Sequence, residues 1–413
     1  MTPAQPPTAS PAPAEEIRLV VFAHTPPPLH GQSRMIQLML EGLAARPGLG
    51  IRCFHVNARV SGGLAEVGQP GFAKVFTLLR HAARAVWLRF RHRATIFYYV
   101  PAPPRRTPLV RDWIVLLLCR PFFSRIVFHW HAAGLAGWLQ TGAKPWERRL
   151  TRWLHGRHRL SIILSESNDP ALAVELAPEL TRIVRHGLPD PCPDQVAVLA
   201  PQRRERLARR RAAVDPTASE SRLRVLFISL CSREKGLFDT LEAVAQLNAQ
   251  LAVQGSANRA ELVVAGAFPD PVTEAEFQVR IRQADLQLPG PTGMTPAVSY
   301  AGFVTGEAKS RLYANADVLC FPTAYPAESF GLVIVEALAF GLPVVATRWR
   351  AIPEVLPPDH PTLVAPHAPA EVAAGLAYWL HRPPPDSLRA WFLANYSLDG
   401  HLVALAAALQ AAA

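Results

Sequence analysis

Short apolar runs alternate along this chain with stretches whose apolar residues recur every three or four positions. The runs at 17–23, 51–56, 95–100, 125–130 and 161–164 read as strands. They are rich in β-branched or aromatic residues, brief, and bounded by turn residues, as strands buried on both faces are. A second series follows at 224–229, 261–265, 299–304, 317–323 and 343–347. Helical spacing fills the gaps. Met35, Leu38, Met39 and Leu43 share one face, as do Leu237, Leu241, Val244 and Leu247. Helices are also expected at 74–93, 108–119, 369–380 and about 399–412. Strand–helix alternation in both halves predicts the α/β class, as two Rossmann-like domains, each a doubly wound parallel sheet.

The division follows composition. Residues 1–16 are rich in Pro and Ala and read as a disordered tail without the basic and apolar regions of a secretory signal. The first domain is expected at 17–190 and the second at 223–390. The Pro- and Arg-rich segment 191–222 between them reads as a linker carrying a basic helical turn. The longest apolar run, 113–119, is too short to span a bilayer. Five scattered cysteines without a CxxC pair fit a reducing cytoplasm and argue against a disulfide framework or a cysteine zinc site.

Charge narrows the partners. The 43 Lys and Arg against 32 Asp and Glu leave a net +11. That suits nucleic acid, an anionic membrane or anionic substrates. Neither an aromatic–basic RNA signature nor zinc-finger spacing is present, so no nucleic acid partner is expected. In the helix expected at 74–93, Val75, Leu79, Ala82, Val86 and Phe90 form one stripe and Arg80, Arg84 and Arg91 another. The basic stripe is either a solvated face or a surface that lies on anionic lipid.

The densest chemistry lies between two strands, from Glu328 to Pro343. Ser329 reads as an N-cap, Leu332, Val335, Leu338 and Ala339 follow at helical spacing, and Gly341 and Pro343 end the helix. Glu328 then precedes the helix and Glu336 lies about 12 Å further along its axis. A loop at the carboxyl end of a parallel strand is where open α/β sheets bind ligands. The helix N-terminus suits a phosphate, and the two carboxylates suit sugar hydroxyls. Two glutamates at this spacing also fit the exposed face of an ordinary amphipathic helix.

The surrounding residues go further. Glu328, Ser329, Phe330, Gly331, Val333, Glu336, Ala337, Gly341, Pro343 and Val344 resemble the E-x7-E signature of glycosyltransferase family 4, retaining enzymes of the two-domain GT-B fold. The resemblance is strongest from 223 to 356. It implies that Glu328 meets the donor sugar, Glu336 the ribose, and the backbone around Ser329, Phe330, Gly331 and Leu332 the donor phosphates. Lys235-Gly236 resembles the family's element that neutralises the diphosphate, but Leu230 stands where the family has Arg. Arg233 is either its substitute or a solvent-facing residue. By the same resemblance, Gly31 belongs to a first loop whose backbone N–H groups approach the donor phosphate or the acceptor, though turn formation alone also explains it; His131 reaches the donor sugar, and the backbone near Val304 meets the base. The stretch 183–190 resembles the element closing the first domain, with His186 in place of Asn.

The function so implied is transfer of a sugar from a nucleotide-diphosphate sugar to an acceptor with retention, in cell-surface or exopolysaccharide synthesis. The acceptor is a glycan or is lipid-linked. The place is the cytoplasm or, peripherally, the inner face of the cell membrane. No metal and no cofactor is expected, since no Asp-x-Asp pair occurs and Lys235 with a helix N-terminus can offset the leaving charge. Three other readings stand: a non-hydrolysing sugar-nucleotide epimerase, a nicotinamide dehydrogenase and a nucleotide-sugar-binding protein without turnover. Against the dehydrogenase, the first loop has Gly31 alone and not G-x-G-x-x-G.

Overall fold

Two six-stranded sheets, each wholly parallel, carry the chain. The computed structural model describes residues 16–59, 72–156, 158–168 and 181–413. The tail expected at 1–16 lies outside these, except for Glu16. The first sheet holds β1 (Ile17–Ala23), β2 (Ile51–Asn57), β3 (Ile96–Tyr99), β4 (Arg125–His129), β5 (Leu160–Ile163) and β6 (Thr181–Ile183), in the order β2-β1-β3-β4-β5-β6. Its central strand β3, Ile-Phe-Tyr-Tyr, is buried on both faces, which a helix-covered parallel sheet requires.

The second half starts with β7 (Arg222–Ile228) and β8 (Arg259–Ala265). A hairpin of β9 (Gln287–Gly290) and β10 (Gly293–Pro296) follows. It precedes β11 (Val298–Tyr300), β12 (Val318–Phe321), β13 (Val344–Thr347) and β14 (Leu363–Val364). The sheet order is β11-β8-β7-β12-β13-β14. Counted within the domain this is 3-2-1-4-5-6, the dinucleotide-fold order, which reverses between β7 and β12. In the first sheet the reversal falls between β1 and β3. These two switch points fix where each domain can bind a ligand.

Several local expectations differ from what is observed. The helix before β7 runs Ala200–Ala212 and is no isolated basic turn in a linker. Its Arg203 is buried against the second domain and donates to the carbonyls of Tyr313 at 2.9 Å, Ala316 at 3.3 Å and Phe340. Arg210 pairs with Asp317 at 2.7 Å. Burial drives the Arg203 pKa down to about 10, yet the carbonyl ends of two helices still suit a cation there. One of those helices is Leu332–Ala339, whose last turn also receives Arg389 through the Ala339 carbonyl at 2.6 Å.

The helix Phe72–His92 also turns differently from expectation. It packs on the sheet through Leu78, Ala82, Ala85 and Leu88. Of the expected apolar stripe, Val75, Leu79 and Phe90 face outward, with Phe90 63% exposed. The helix carries two apolar faces, and the smaller, aliphatic one fits the sheet. The last helix, Leu398–Ala412, lies against the first domain. Its Leu402 touches Gly42, and Leu402, Leu405 and Leu409 join the core of β1, β3 and β5. No helix among the described residues is long and apolar enough to cross a membrane.

Candidate functional site

The second-domain switch point brings two loops together. The loop after β7 carries Leu230 to Gly236 and the loop after β12 carries Pro322 to Gly331. Gly236 makes their approach possible. Its φ is +83°, and a β-carbon there would lie 2.3 Å from the Pro322 carbonyl oxygen. No L side chain fits that space or that backbone. The result is that Lys235 Nζ lies 2.6 Å from Glu328 Oε2. Both side chains are buried or nearly so, 15% and 9% exposed. The ammonium also faces the Tyr325 ring, 4.5 Å from its centre, and the Phe321 ring at 5.7 Å. Glu328 accepts in addition from Gly331 N at 3.2 Å and Thr323 Oγ1 at 3.4 Å.

The helix beyond begins at Leu332, with Gly331 as N-cap in the left-handed region at φ +70°. Ser329 is therefore not the cap. Its hydroxyl leaves the helix and donates to the His131 carbonyl of the first domain at 2.5 Å. Phe330 is buried in the core beneath, edge-on to the His186 ring with centres 5.2 Å apart. Glu336 has partners other than the Lys235 pair. Its carboxylate takes Lys309 Nζ at 2.5 Å on one oxygen and the Tyr313 hydroxyl at 2.7 Å on the other. Arg233 turns aside: it is ion-paired with Glu276 and lies over the Phe238 ring at 4.3 Å. Leu230 is 39% exposed. Val304 sits in the loop between β11 and the helix Gly306–Asn315, half-buried, beyond a Gly302 carbonyl that accepts from Gly266 N.

The first domain supplies the facing wall. Helix Gly31–Ala44 starts opposite Leu332: a β-carbon on Gly31 would come within 3.0 Å of the Leu332 side chain. Its N-cap is His30, whose ring accepts from Ser33 N at 3.4 Å. His30 Nε2 in turn lies 2.8 Å from His24 Nε2. His129 and His131 lie together at the end of β4, with ring centres 4.2 Å apart, and His186 follows at 4.9 Å from His131. All three rings are buried. Burial and then the neighbouring histidines hold His131 down to about 3 and His129 and His186 well below the usual value, so all three are neutral. His24 is lowered to about 4 by burial, with His30 next in effect. Among the described residues no group of three or more His, Cys, Asp or Glu is placed to hold a metal.

The walls are tied by a second contact that sequence reasoning missed. The Glu354 carboxylate accepts from the backbone N–H of Glu166 and of Ser167, both at 2.9 Å. It sits in a short helix after β13, with no motif to mark it. Lys309 and Tyr313 were equally invisible; only their positions one turn apart, Lys309 to Tyr313, hinted at a shared face.

Known proteins resemble this chain in sequence and in fold. Residues 209–392 match the family model described as glycosyl transferases group 1. The MMP alpha-(1->4)-mannosyltransferase of Mycolicibacterium hassiacum is 32% identical over 169 residues, 40% of this chain and 36% of that protein. The sulfoquinovosyl transferase SQD2 of Arabidopsis thaliana is 46% identical over 68 residues, 16% of this chain and 12% of that protein. The chain thus spans well under half the length of these curated relatives. Solved structures match almost throughout. A glycosyltransferase from Rickettsia africae has TM-score 0.67 at 13% identity, covering 94% of this chain and 96% of its own. Anabaena Alr3699/HepE in complex with UDP has TM-score 0.63 at 17% identity, covering 95% and 100%. At such identities the likeness establishes the fold. The fold is GT-B, and residues 209–392 resemble the group 1 glycosyl transferases.

Proposed function

We propose that this protein transfers a sugar from a nucleotide-diphosphate sugar to an acceptor, with retention at the anomeric carbon. The observation that carries this reading is the Lys235–Glu328 pair at the mouth of the second-domain switch point, beside the N-terminus of helix Leu332–Ala339. Cleaving the sugar–phosphate bond builds negative charge on the departing diphosphate. A fixed ammonium and free helix amides in a sheltered cleft meet that charge without reorganising. Glu328 holds Lys235 in place and presents its remaining acceptor capacity to sugar hydroxyls. Glu336, held by Lys309 and Tyr313, is oriented to accept from the ribose. No divalent cation is needed in this scheme. The test is transfer from a panel of UDP-, GDP- and ADP-sugars, with and without EDTA. Turnover that vanishes in EDTA and returns with Mg²⁺ or Mn²⁺ would rule out the metal-free scheme.

A reading as a binding protein without turnover is favoured by one observation: in the Lys235 loop, Arg233 is ion-paired with Glu276 and Leu230 carries no charge. Calorimetry showing donor binding without transfer or hydrolysis would select it.

The acceptor side is the first domain, and we assign it an amphiphilic, lipid-linked acceptor at an anionic membrane. Phe76, Trp87 and Phe90 are exposed on helix Phe72–His92, and Phe122 packs edge-on against Phe90 with centres 6.1 Å apart. Each buried aromatic or leucine is worth roughly 1.5–3 kcal/mol, which this face leaves ungained in water. Arg80, Arg84 and Arg91 stand on the same helix, and the described residues offer none of them an ion pair. Beside them an open cavity of about 800 Å³ is lined by His55, Asn57, Arg80, His81, Arg84 and Trp87. Aromatic and basic residues together are the composition of a membrane-interface surface.

A further inference from the structure

We propose that Arg350 is an anion clamp on the acceptor side of the cleft, and that the acceptor it receives carries a phosphate. The inference rests on the transfer reading above. It starts from the backbone. Arg350 has φ +51°, in the left-handed region that favours glycine. A bulky residue is uncommon there, and such outliers gather at functional sites.

The place is the junction of the two domains. Arg350 follows β13 by three residues, at the carboxyl end of the second sheet, where open α/β sheets bind ligands. Its guanidinium reaches the first domain. A β-carbon on Gly134 would stand 3.5 Å from Arg350 Nη2, 3.3 Å from the Pro326 carbonyl oxygen and 3.7 Å from the Pro104 ring. Pro104 follows β3, Gly134 follows β4 and Pro326 follows β12. Loops from four strand ends, two in each domain, therefore meet at this point. The Arg350 Cζ lies 5.5 Å from the centre of the Trp349 ring, and Trp349 Nε1 donates to the Tyr325 carbonyl at 2.8 Å. The Tyr325 ring in turn faces the Lys235 ammonium. These contacts join Arg350 to the ionic wall from the side of the first domain.

The chemistry follows from what is left free. Arg350 is exposed, and its guanidinium has no ion pair and no hydrogen bond among the described residues. By contrast, Lys235, Lys309, Arg233 and Arg106 are each ion-paired with a glutamate. Arg348, two residues before, and Arg105, beside Pro104, are exposed and also without an ion pair among the described residues. Apart from the Trp349 ring, no contact within the described fold offsets the strain at Arg350, so a ligand has that part. A guanidinium with its donors free takes an oxyanion through two parallel hydrogen bonds. Several uncompensated cations suit the charge of a phosphate monoester, close to −2, better than that of a carboxylate. The donor's own diphosphate is assigned to Lys235 and the amides beyond Gly331. What borders Arg350 is the first domain, to which the acceptor is assigned.

The experiment uses the full chain loaded with whichever of UDP, GDP and ADP binds tightest. Calorimetry then follows farnesyl phosphate, farnesol and inorganic phosphate. Farnesyl phosphate should bind at least about tenfold tighter than farnesol. Arg350→Gln should weaken both phosphate probes by roughly 10- to 100-fold and change nucleoside diphosphate binding less than about twofold. Arg350→Lys should restore only part, since the fork is lost. Arg350→Gly should lose the probes equally without a lower melting temperature, because glycine takes this φ freely. Farnesyl phosphate bound well above inorganic phosphate places the phosphate on a lipid, and equal binding places it on a soluble acceptor. Equal binding of farnesol and farnesyl phosphate overturns the proposal. So does a glutamine variant that binds the probes as the wild type does. A loss for the nucleoside diphosphate as large as for the probes would put Arg350 in the donor site and overturn it too. An arginine that only ties the domains together would give a lower melting temperature for Arg350→Gly with probe binding unchanged, again overturning it. A wild type that binds none of the three nucleoside diphosphates overturns the nucleotide-sugar reading itself, a failure distinct from these.

Discussion

The two domains share an architecture and differ in charge. Residues 17–190 carry 24 Lys or Arg against nine Asp or Glu, whereas residues 191–413 carry 19 against 21. The domain that holds Lys235 is thus close to neutral overall, and the excess of cations lies on the other one. Within the cleft the contrast reverses. The second-domain wall is ionic, built from Lys235, Glu328, Lys309 and Glu336. The first-domain wall is a stack of neutral imidazoles. Local chemistry inside a cleft and the field over a domain surface are separate quantities. The first follows from a few desolvated side chains, and the second from the sum of exposed ones. On the proposed function, the first concerns the donor and the second the surface the protein docks on.

The sharpest way to break this division is to remove the cation from the ionic wall. Lys235→Ala should lower kcat by on the order of 10²–10³, as loss of one preorganised charge donor does elsewhere. Part of that loss comes from leaving Glu328 buried without its partner. Lys235→Ala combined with Glu328→Gln should therefore lose less than the product of the single effects. Lys235→Arg should rescue only in part, because a planar fork does not replace a compact ammonium. A fall in kcat under about threefold for Lys235→Ala would mean that another group meets the diphosphate.

Next in size, the two carboxylates should separate. Glu328→Gln should chiefly lower kcat, by about 10², since the sugar changes shape and charge during the reaction. Glu336→Gln should chiefly raise the donor KM, about tenfold, because a ribose contact is alike in ground and transition states. Tyr313→Phe, which removes one of Glu336's two partners, should follow Glu336→Gln in kind with a smaller effect. Indistinguishable kinetic profiles for the two glutamine variants would end the assignment of separate roles.

The imidazole wall is tested through acid. His129, His131 and His186 are held neutral in the fold, with His131 down to about 3, against an ordinary value near 6.5 when unfolded. Below about pH 6.5 the unfolded chain binds protons that the folded one refuses. Stability is therefore fully present above that pH and falls as pH drops toward the folded values. At pH 5 His131 removes about 2 kcal/mol, and His129 and His186 act in the same direction. The melting temperature should be flat from pH 7 to 8 and decline steadily from 6.5 to 5, and His131→Asn with His186→Asn should flatten the decline. An acid slope unchanged in the double variant would place the titrating groups elsewhere.

How much of this was legible before the structure depends on what carried the signal. The strands were readable because burial on both faces leaves an unbroken apolar run: β1 and the helix Pro369–Leu380 fall where the pattern put them. Lys235, Glu328 and Glu336 of the ionic wall were readable because they lie in two short local motifs, whereas Lys309 lies in neither. The helix Phe72–His92 was misread because it is apolar on two sides, and periodicity alone does not say which side meets the sheet. Ser329 was misread as a cap because Ser before an apolar run has that form, while Gly331 with its positive φ does the work two residues later. The Arg-rich stretch hid a docked helix, since a guanidinium satisfied by helix carbonyls is indistinguishable in sequence from a solvated one. The histidine stack joins β4, the segment at 186 and the last helix, and no local pattern announces contacts so distant in sequence.

The smallest expected effect is also the one that tests the outer face of the first domain. If the exposed aromatics and arginines of helix Phe72–His92 rest on anionic lipid, each arginine near the surface contributes about 1 kcal/mol, or roughly a fivefold change in partition. Arg84→Gln should thus weaken binding to vesicles containing anionic lipid about fivefold and leave activity on a soluble acceptor analogue unchanged. Raising salt should weaken the wild type in the same direction, because surface charges are screened within about 8 Å at physiological ionic strength. Trp87→Ala should act differently. It removes apolar contact, so its effect should persist at high salt. That pair of variants separates an electrostatic dock from an apolar one. Equal partition of the wild type to neutral and anionic vesicles would leave the arginines without a membrane role. The excess cations of the first domain would then have to serve an anionic acceptor directly, in the cavity bounded by Arg80, Arg84 and Trp87.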